Sequence, residues 1–253
     1  MDYDSTGNGP PVLLIHGFPL DRTIWSGQVA PLSRGFHVIS PDLPGHGRTP
    51  AFDGPASMDR FARGLFDLMD RLSLPRFSVA GHSMGGYIVF AMLRARPERL
   101  ERIALVCTRA AADSAEARRA REINAARVLA EGPGFLAESM AERVLGANPE
   151  PALASRVRDI IRAASPAGVA TALRGMAARP DSTPLLQSIR VPTLVVAGRE
   201  DKIVPVEEAR AMAASIPGAR LQVLDGAGHI PMLERPEDLA GGLTSWLRPV
   251  VTL

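Results

Sequence analysis

Six short apolar runs recur along the chain, each followed by a longer amphipathic segment, and this rhythm restricts the fold more than any other feature. Strands buried on both faces read as continuous apolar runs, and strands that lie parallel need a crossover helix between them. The runs Val12–Ile15, His37–Ser40, Phe77–Ala80, Ile103–Cys107, Thr193–Ala197 and Arg220–Leu224 are therefore predicted as parallel strands. Helices are predicted at Ser57–Leu72, capped by Ser57, at Met84–Ala95, stopped by Pro97, and at Val206–Ser215 and Pro236–Leu247. The fold class is α/β, a mostly parallel sheet with helices on both faces.

The rhythm breaks between Ala111 and Ile189. No strand pattern occurs there, and proline and glycine separate four helical stretches, Asp113–Glu131, Phe135–Leu145, Pro151–Ala164 and Pro166–Ala178. One crossover helix would suffice to join two strands, so the extra helices read as an inserted cap. The expected division is a core over 1–110, a helical cap over 111–189 and the remainder of the core over 190–253.

Composition narrows the function classes. Hydrophobic residues at 46% and charged residues at 22% are values of a chain that folds alone, which excludes a disordered or fibrous protein. Lys and Arg (29) nearly balance Asp and Glu (27), and no basic stripe interrupts their scatter, so neither nucleic acid nor a membrane surface is expected as a partner. Lys202 is the only lysine, which argues against Schiff-base chemistry. A single cysteine, Cys107, excludes an internal disulfide and is read as a small buried residue at the end of a strand. The polar, acidic N-terminus lacks the features of a signal peptide, and no run of about 18 apolar residues is present, so a cytoplasmic protein is expected, as a monomer or homodimer.

Gly81-His82-Ser83-Met84-Gly85 fits G-x-S-x-G, with an apolar run before it and a helical pattern after. A serine at such a corner takes a strained backbone, and glycines on either side let strand and helix approach. Its hydroxyl is a weak nucleophile until a base removes the proton, and the base must be oriented by a carboxylate. Of five histidines only His229 lies downstream of Ser83, in a glycine-rich loop after the last predicted strand. The carboxylate should follow the preceding strand, and Asp201 in Gly198-Arg199-Glu200-Asp201-Lys202 is chosen there over Glu200 and Asp225. An oxyanion needs two N–H donors, each worth roughly 2.7–4 kcal/mol in the transition state. Met84, at the start of a helix, supplies one, and Phe18 of His16-Gly17-Phe18-Pro19 the other, since Pro19 has no N–H. His16 and His46 are read as shaping their loops, His82 as pointing away from the chemistry, and His37 as carrying no signal.

The stretches HGFP, DLPGHGRT, GHSMGG, GREDKIVP and GAGHIPMLERPE stand in the order of the α/β-hydrolase fold family, and the chain resembles its esterase and 3-oxoadipate enol-lactonase-like members. The resemblance covers nearly the whole chain and is weakest over the cap. It implies a triad of Ser83, Asp201 and His229, with Phe18 and Met84 as the oxyanion donors. It departs at the start, where relatives have a hairpin of two further strands before Val12; the residues before it are expected to supply at most a fragment of one. Serine at position 83, where dehalogenases and epoxide hydrolases of the family carry aspartate, implies acyl transfer.

The expected activity is hydrolysis of a small-to-medium carboxylic ester through an acyl-enzyme. A lactonase, a C–C bond hydrolase, a perhydrolase or acyltransferase on the same triad, and a ligand receptor without turnover are the alternatives. No metal or organic cofactor is expected, because no ligand set is clustered; the partner is a small ester or lactone. Trp25, Met84, Phe135, Met140, Met176 and Ile230 are candidate pocket walls along with Phe18. Arg109 is the arginine to test for contact with an anionic substrate; no other is expected to be dedicated to a carboxylate.

Overall fold

The computed structural model describes residues 1–248. The strands β1 (Tyr3–Thr6), β2 (Pro11–Ile15), β3 (His37–Pro41), β4 (Phe77–His82), β5 (Leu100–Val106), β6 (Thr193–Gly198) and β7 (Arg220–Leu224) form one sheet in the order β1-β3-β2-β4-β5-β6-β7. Every pairing is parallel except that of β1 with β3. The six predicted strands are all present, and the N-terminal segment contributes the short edge strand β1. All four of its residues are exposed, so burial does not hold it. Its antiparallel bonds to β3 do, together with Arg22, whose buried guanidinium pairs with Asp2, Asp4 and Asp42.

Order in the sheet reverses at β2, which has β3 on one side and β4 on the other, with Ile15 beside Gly81 in the register. Loops leaving the carboxyl ends of two such strands turn in opposite directions and open a crevice, the usual place for a ligand in an open α/β sheet. The His16-Gly17-Phe18 loop and the Ser83 corner are those two loops. Ile15, Val79, Ala80 and Leu105 are completely buried beneath them, so the crevice has a rigid apolar floor.

The helices are α1 (Ser26–Leu32), α2 (Met58–Arg71), α3 (Met84–Ala95), α4 (Ala115–Glu131), α5 (Gly134–Val144), α6 (Pro151–Ala163), α7 (Pro166–Ala177), α8 (Val206–Ser215), α9 (Pro231–Glu234) and α10 (Pro236–Leu247). Ser57 accepts from the Arg60 N–H at the start of α2, as its position predicts. Residues 84–93 of α3 are buried on every side, because the helix lies against the sheet's centre beneath α2. The four helices expected between β5 and β6 are α4–α7, packed as the pairs α4 with α7 and α5 with α6. The sequence reading missed α1 and α9. Pro31 inside α1 disguises it as a loop, and what holds it is tertiary: Gln28 donates to the carbonyls of Met232 and Pro236 beside α10. No helix among the described residues is long and apolar enough to cross a membrane.

Candidate active site

Ser83 stands between β4 and α3 with φ +51° and ψ −111°, a conformation that side chains other than glycine's seldom adopt. The neighbouring contacts enforce it. A Cβ on Gly81 would lie 2.4 Å from the Gly85 carbonyl, and one on Gly85 would lie 2.6 Å from that of Ile15, so only glycine lets strand and helix meet here. The Ser83 N–H donates to Val106 (2.9 Å), and Thr108 donates its hydroxyl to the Ser83 carbonyl (2.7 Å), which fixes the corner from below.

His229 Nε2 lies 2.9 Å from Ser83 Oγ, and His229 Nδ1 lies 2.7 Å from Asp201 Oδ2. A carboxylate can only accept, so Nδ1 carries the proton and Nε2 presents its lone pair to the hydroxyl. Asp201 is held in turn: its other oxygen accepts the Ile203 and Val204 N–H groups at 2.8 and 2.9 Å. Burial alone would raise the Asp201 carboxyl, but His229 and these two amides outweigh it and hold it below the usual carboxylate range. The competing carboxylates are engaged elsewhere. Glu200 accepts from Ala147 N–H at 2.6 Å, and Asp225 pairs with Arg199 at the surface.

The loops of Asp201 and His229 can approach because Gly198 passes directly over Gly228, where a Cβ would lie 1.9 Å from the Gly228 carbonyl. The histidine loop is also bolted to the end of α5. The His229 N–H donates to the Val144 carbonyl at 2.8 Å, and Glu234 accepts from both Gly146 and Gly228 at 2.7 and 2.8 Å. Burial raises the Glu234 carboxyl above its ordinary value, against the pull of its amide donors, with Glu200 adding to the rise. The helical insertion and the histidine loop are therefore one hydrogen-bonded unit.

The N–H groups of Phe18 and Met84 donate to no group among the described residues. Beneath them lie three histidines with assigned structural bonds. His16 donates Nδ1–H to the Gly17 carbonyl and accepts the Leu43 N–H at Nε2, both at 2.9 Å. His82 Nε2–H donates to the His229 carbonyl at 2.7 Å, which places it against the backbone of the catalytic candidate and out of the cavity. His46 donates Nδ1–H to the Pro44 carbonyl at 3.2 Å. Burial pushes all three down, His16 to about 4 and His46 and His82 to about 3, and each is pushed further by a neighbouring histidine or drawn back by its backbone bond.

Those values predict the acid stability of the fold. The folded chain keeps the three rings neutral, whereas the unfolded chain protonates them at about 6.5. Stability is complete above that pH and falls as pH drops toward the folded values, because the unfolded state binds more protons. At pH 5 the loss is about 2 kcal/mol per histidine. Between pH 7 and pH 5 the Tm is expected to fall by roughly 10–20 °C in calorimetry. His46→Gln should remove about a third of that drop; a Tm that is flat over this range would show that the rings are not held neutral.

Cys107 sits just past β5 with φ +47°, one residue beyond the strand expected to contain it, and its Sγ, Asp201 and His229 offer donor atoms within 4.8 Å of one another. The set fits a metal poorly. Burial drives the thiol well above its ordinary pKa, so it is not a thiolate, and Asp201 and His229 are already bonded to each other.

A cavity of about 300 Å³ opens above Ser83 and His229, between the carboxyl ends of the strands and α4, α5 and α7. Phe18, Met140 and Met176 line it as predicted. Trp25, Met84, Phe135, Ile230 and Arg109 do not; Met84 is completely buried. Trp25 and Ile230 are completely buried in the core. Phe135 lies at the edge of that face of α5, stacked under the Arg127 guanidinium, 3.9 Å from the ring centre. Arg109 is turned toward α8, bonded to the Ile203 carbonyl and to Glu208. The sequence reading missed Arg121 and Arg143 in this wall. Helical spacing contains the signal, since Leu136, Ser139, Met140 and Arg143 are one face of α5, and Ala117, Ala120, Arg121 and Asn124 are one face of α4. A larger depression bordered by Arg220, Glu237 and Arg248 lies at the opposite, amino end of β7, away from this chemistry.

Residues 10–236 match the alpha/beta hydrolase fold family. A thermophilic esterase from Thermogutta terrifontis, solved with malate bound, superposes with a TM-score of 0.96 at 44% identity, over 98% of this chain and 92% of that one. The enol-lactonase of Burkholderia xenovorans LB400 gives 0.90 at 31% identity, over 97% and 95%. The pimeloyl-[acyl-carrier protein] methyl ester esterase of Nitrosomonas europaea is 29% identical, over 94% and 95%. With the sheet order, the serine corner and a match spanning nearly all of its length in agreement, the chain belongs to the alpha/beta hydrolase fold family.

Proposed function

We propose that this protein hydrolyses a small-to-medium carboxylic ester through an acyl-enzyme, with 111–189 acting as a cap over the site. The observation that carries the reading is the bonded chain from Ser83 through His229 to Asp201, closed at one end by a strained corner and at the other by two backbone amides. In this reading Ser83 Oγ attacks the carbonyl as His229 Nε2 takes its proton, and Asp201 stabilises the imidazolium that forms. The N–H groups of Phe18 and Met84 receive the oxyanion, and His229 returns the proton to the departing alcohol. Water then repeats the sequence on the acyl-enzyme. The cavity volume, at the lower end of the range for small-molecule sites, favours a small acyl group. The enol-lactonase at 31% identity supports a lactone as the second substrate class, since opening a lactone uses the same steps and merely keeps the alcohol attached.

The test is pre-steady-state hydrolysis of p-nitrophenyl acetate. A burst of one equivalent of p-nitrophenol is expected, with acetyl mass on the Ser83 peptide in quenched samples, followed by steady turnover. Turnover without acylation of Ser83 would remove the covalent mechanism, and a burst with no later turnover would favour a receptor.

A further inference from the structure

The cavity above Ser83 is positively charged on its cap side, with no acid facing it. Its lining includes Arg121 and Arg143 and contains neither Asp nor Glu. Behind it, Arg121 and the buried Arg179 share one carboxylate, Asp113, with nitrogen–oxygen distances of 2.5 and 2.8 Å. Two guanidiniums on one carboxylate leave a net positive charge. Arg179 also lies 4.0 Å above the ring of Tyr87, which lines the cavity, so that charge stands one residue from the ligand space. Arg121 is held by Asp113, which takes its charge, and by Met176 Sδ at 3.4 Å. Arg143 differs: at the exposed end of α5 it has no ion-pair partner or hydrogen bond among the described residues, yet it faces the same space as Ser83 and His229. A planar guanidinium with its donors free, above an apolar wall of Leu136, Met140 and Leu173, matches a short carbon chain that ends in a carboxylate.

We propose that the cavity selects esters whose acyl part carries a free carboxylate, as in a half-ester of a short dicarboxylic acid, and that Arg143 is the residue that binds that carboxylate. This rests on the ester-hydrolase reading. It also relocates the anion-binding role from Arg109, the arginine singled out by the sequence, to a cap residue on the cavity face of its helix. Arg143 binds a group distant from the reacting carbonyl, so its contribution is to ground state and transition state alike and belongs mainly to KM.

The experiment compares monoethyl succinate with diethyl succinate, using the wild-type protein, Arg143→Gln and Arg143→Lys, with p-nitrophenyl acetate as a common reference. A charge-assisted contact of this kind corresponds to about ten- to a hundred-fold in affinity. The half-ester to diester ratio of kcat/KM should therefore fall about ten-fold or more in Arg143→Gln, chiefly through KM, and recover in part in Arg143→Lys. Raising the salt concentration should lower the same ratio in the wild-type protein and leave it unaltered in Arg143→Gln. A ratio that is equal in wild type and Arg143→Gln overturns the proposal while leaving ester hydrolysis intact. Loss of the p-nitrophenyl acetate reaction in the wild-type protein, with both succinates inert, would instead overturn the underlying ester-hydrolase reading.

Discussion

Ser83→Ala is expected to lower kcat toward p-nitrophenyl acetate by about a million-fold, the scale seen when the nucleophile of a serine triad is removed. The fold should survive the change. The Ser83 side chain makes one hydrogen bond, to His229, while the backbone bonds that shape the corner use its N–H and carbonyl and stay in place. Alanine inherits the same positive φ, so the Tm should move by only a few degrees. A small rate above the uncatalysed one should persist in the proposed mechanism, in which the N–H groups of Phe18 and Met84, without acceptors among the described residues, receive the developing oxyanion. Kinetics measured beside a thermal melt separate the two effects: an alanine variant that is folded and within ten-fold of wild type would eliminate Ser83 as the nucleophile.

Asp201→Asn should cost about 10⁴-fold in kcat with KM nearly unchanged. The reason lies in the second oxygen. Asp201 Oδ1 accepts the Ile203 and Val204 N–H groups, so an asparagine must keep its carbonyl oxygen there and turn its NH₂ toward His229. His229 Nδ1 would then have to accept, leaving the proton on Nε2, pointed at the serine it is supposed to deprotonate. Unlike Ser83→Ala, this variant should still become acylated, slowly, at Ser83. A loss smaller than ten-fold would move the orienting role away from Asp201; Glu200 and Asp225 are poor heirs, since each is engaged with another group.

Much of this arrangement was legible in the chain. Apolar runs announced the central parallel strands because a strand buried on both faces tolerates little else, while β7, an edge strand with only Leu224 buried, kept a weaker version of the pattern. Chain order left a single histidine after Ser83, and that residue is bonded to it. What escaped the sequence shares one character, dependence on partners far away in the chain. The helix containing Pro31 is stabilised by Gln28 reaching carbonyls more than two hundred residues on, and no local pattern reports such a bond. Phe135 and Leu136 are both apolar neighbours on one helix, and which of them faces the cavity depends on how α5 is rotated against the sheet. Trp25 and Ile230 show the same limit, as large apolar side chains adjoining functional loops that the core absorbed.

Local chemistry therefore determined the nucleophile, the base, its carboxylate and the two free N–H donors as candidates, because a strained corner and strand-end loops need specific residues at specific positions in the chain. Tertiary structure decided the charge of the cavity. Arg109, placed by sequence at the entrance to the cap, turns to Glu208, whereas Arg121 of α4 and Arg179 just beyond α7 converge on Asp113, and Arg143 is the cavity-lining guanidinium with no carboxylate partner among the described residues. Charge at a point in space is a sum over everything packed around it, and that sum exists only once the helices are docked.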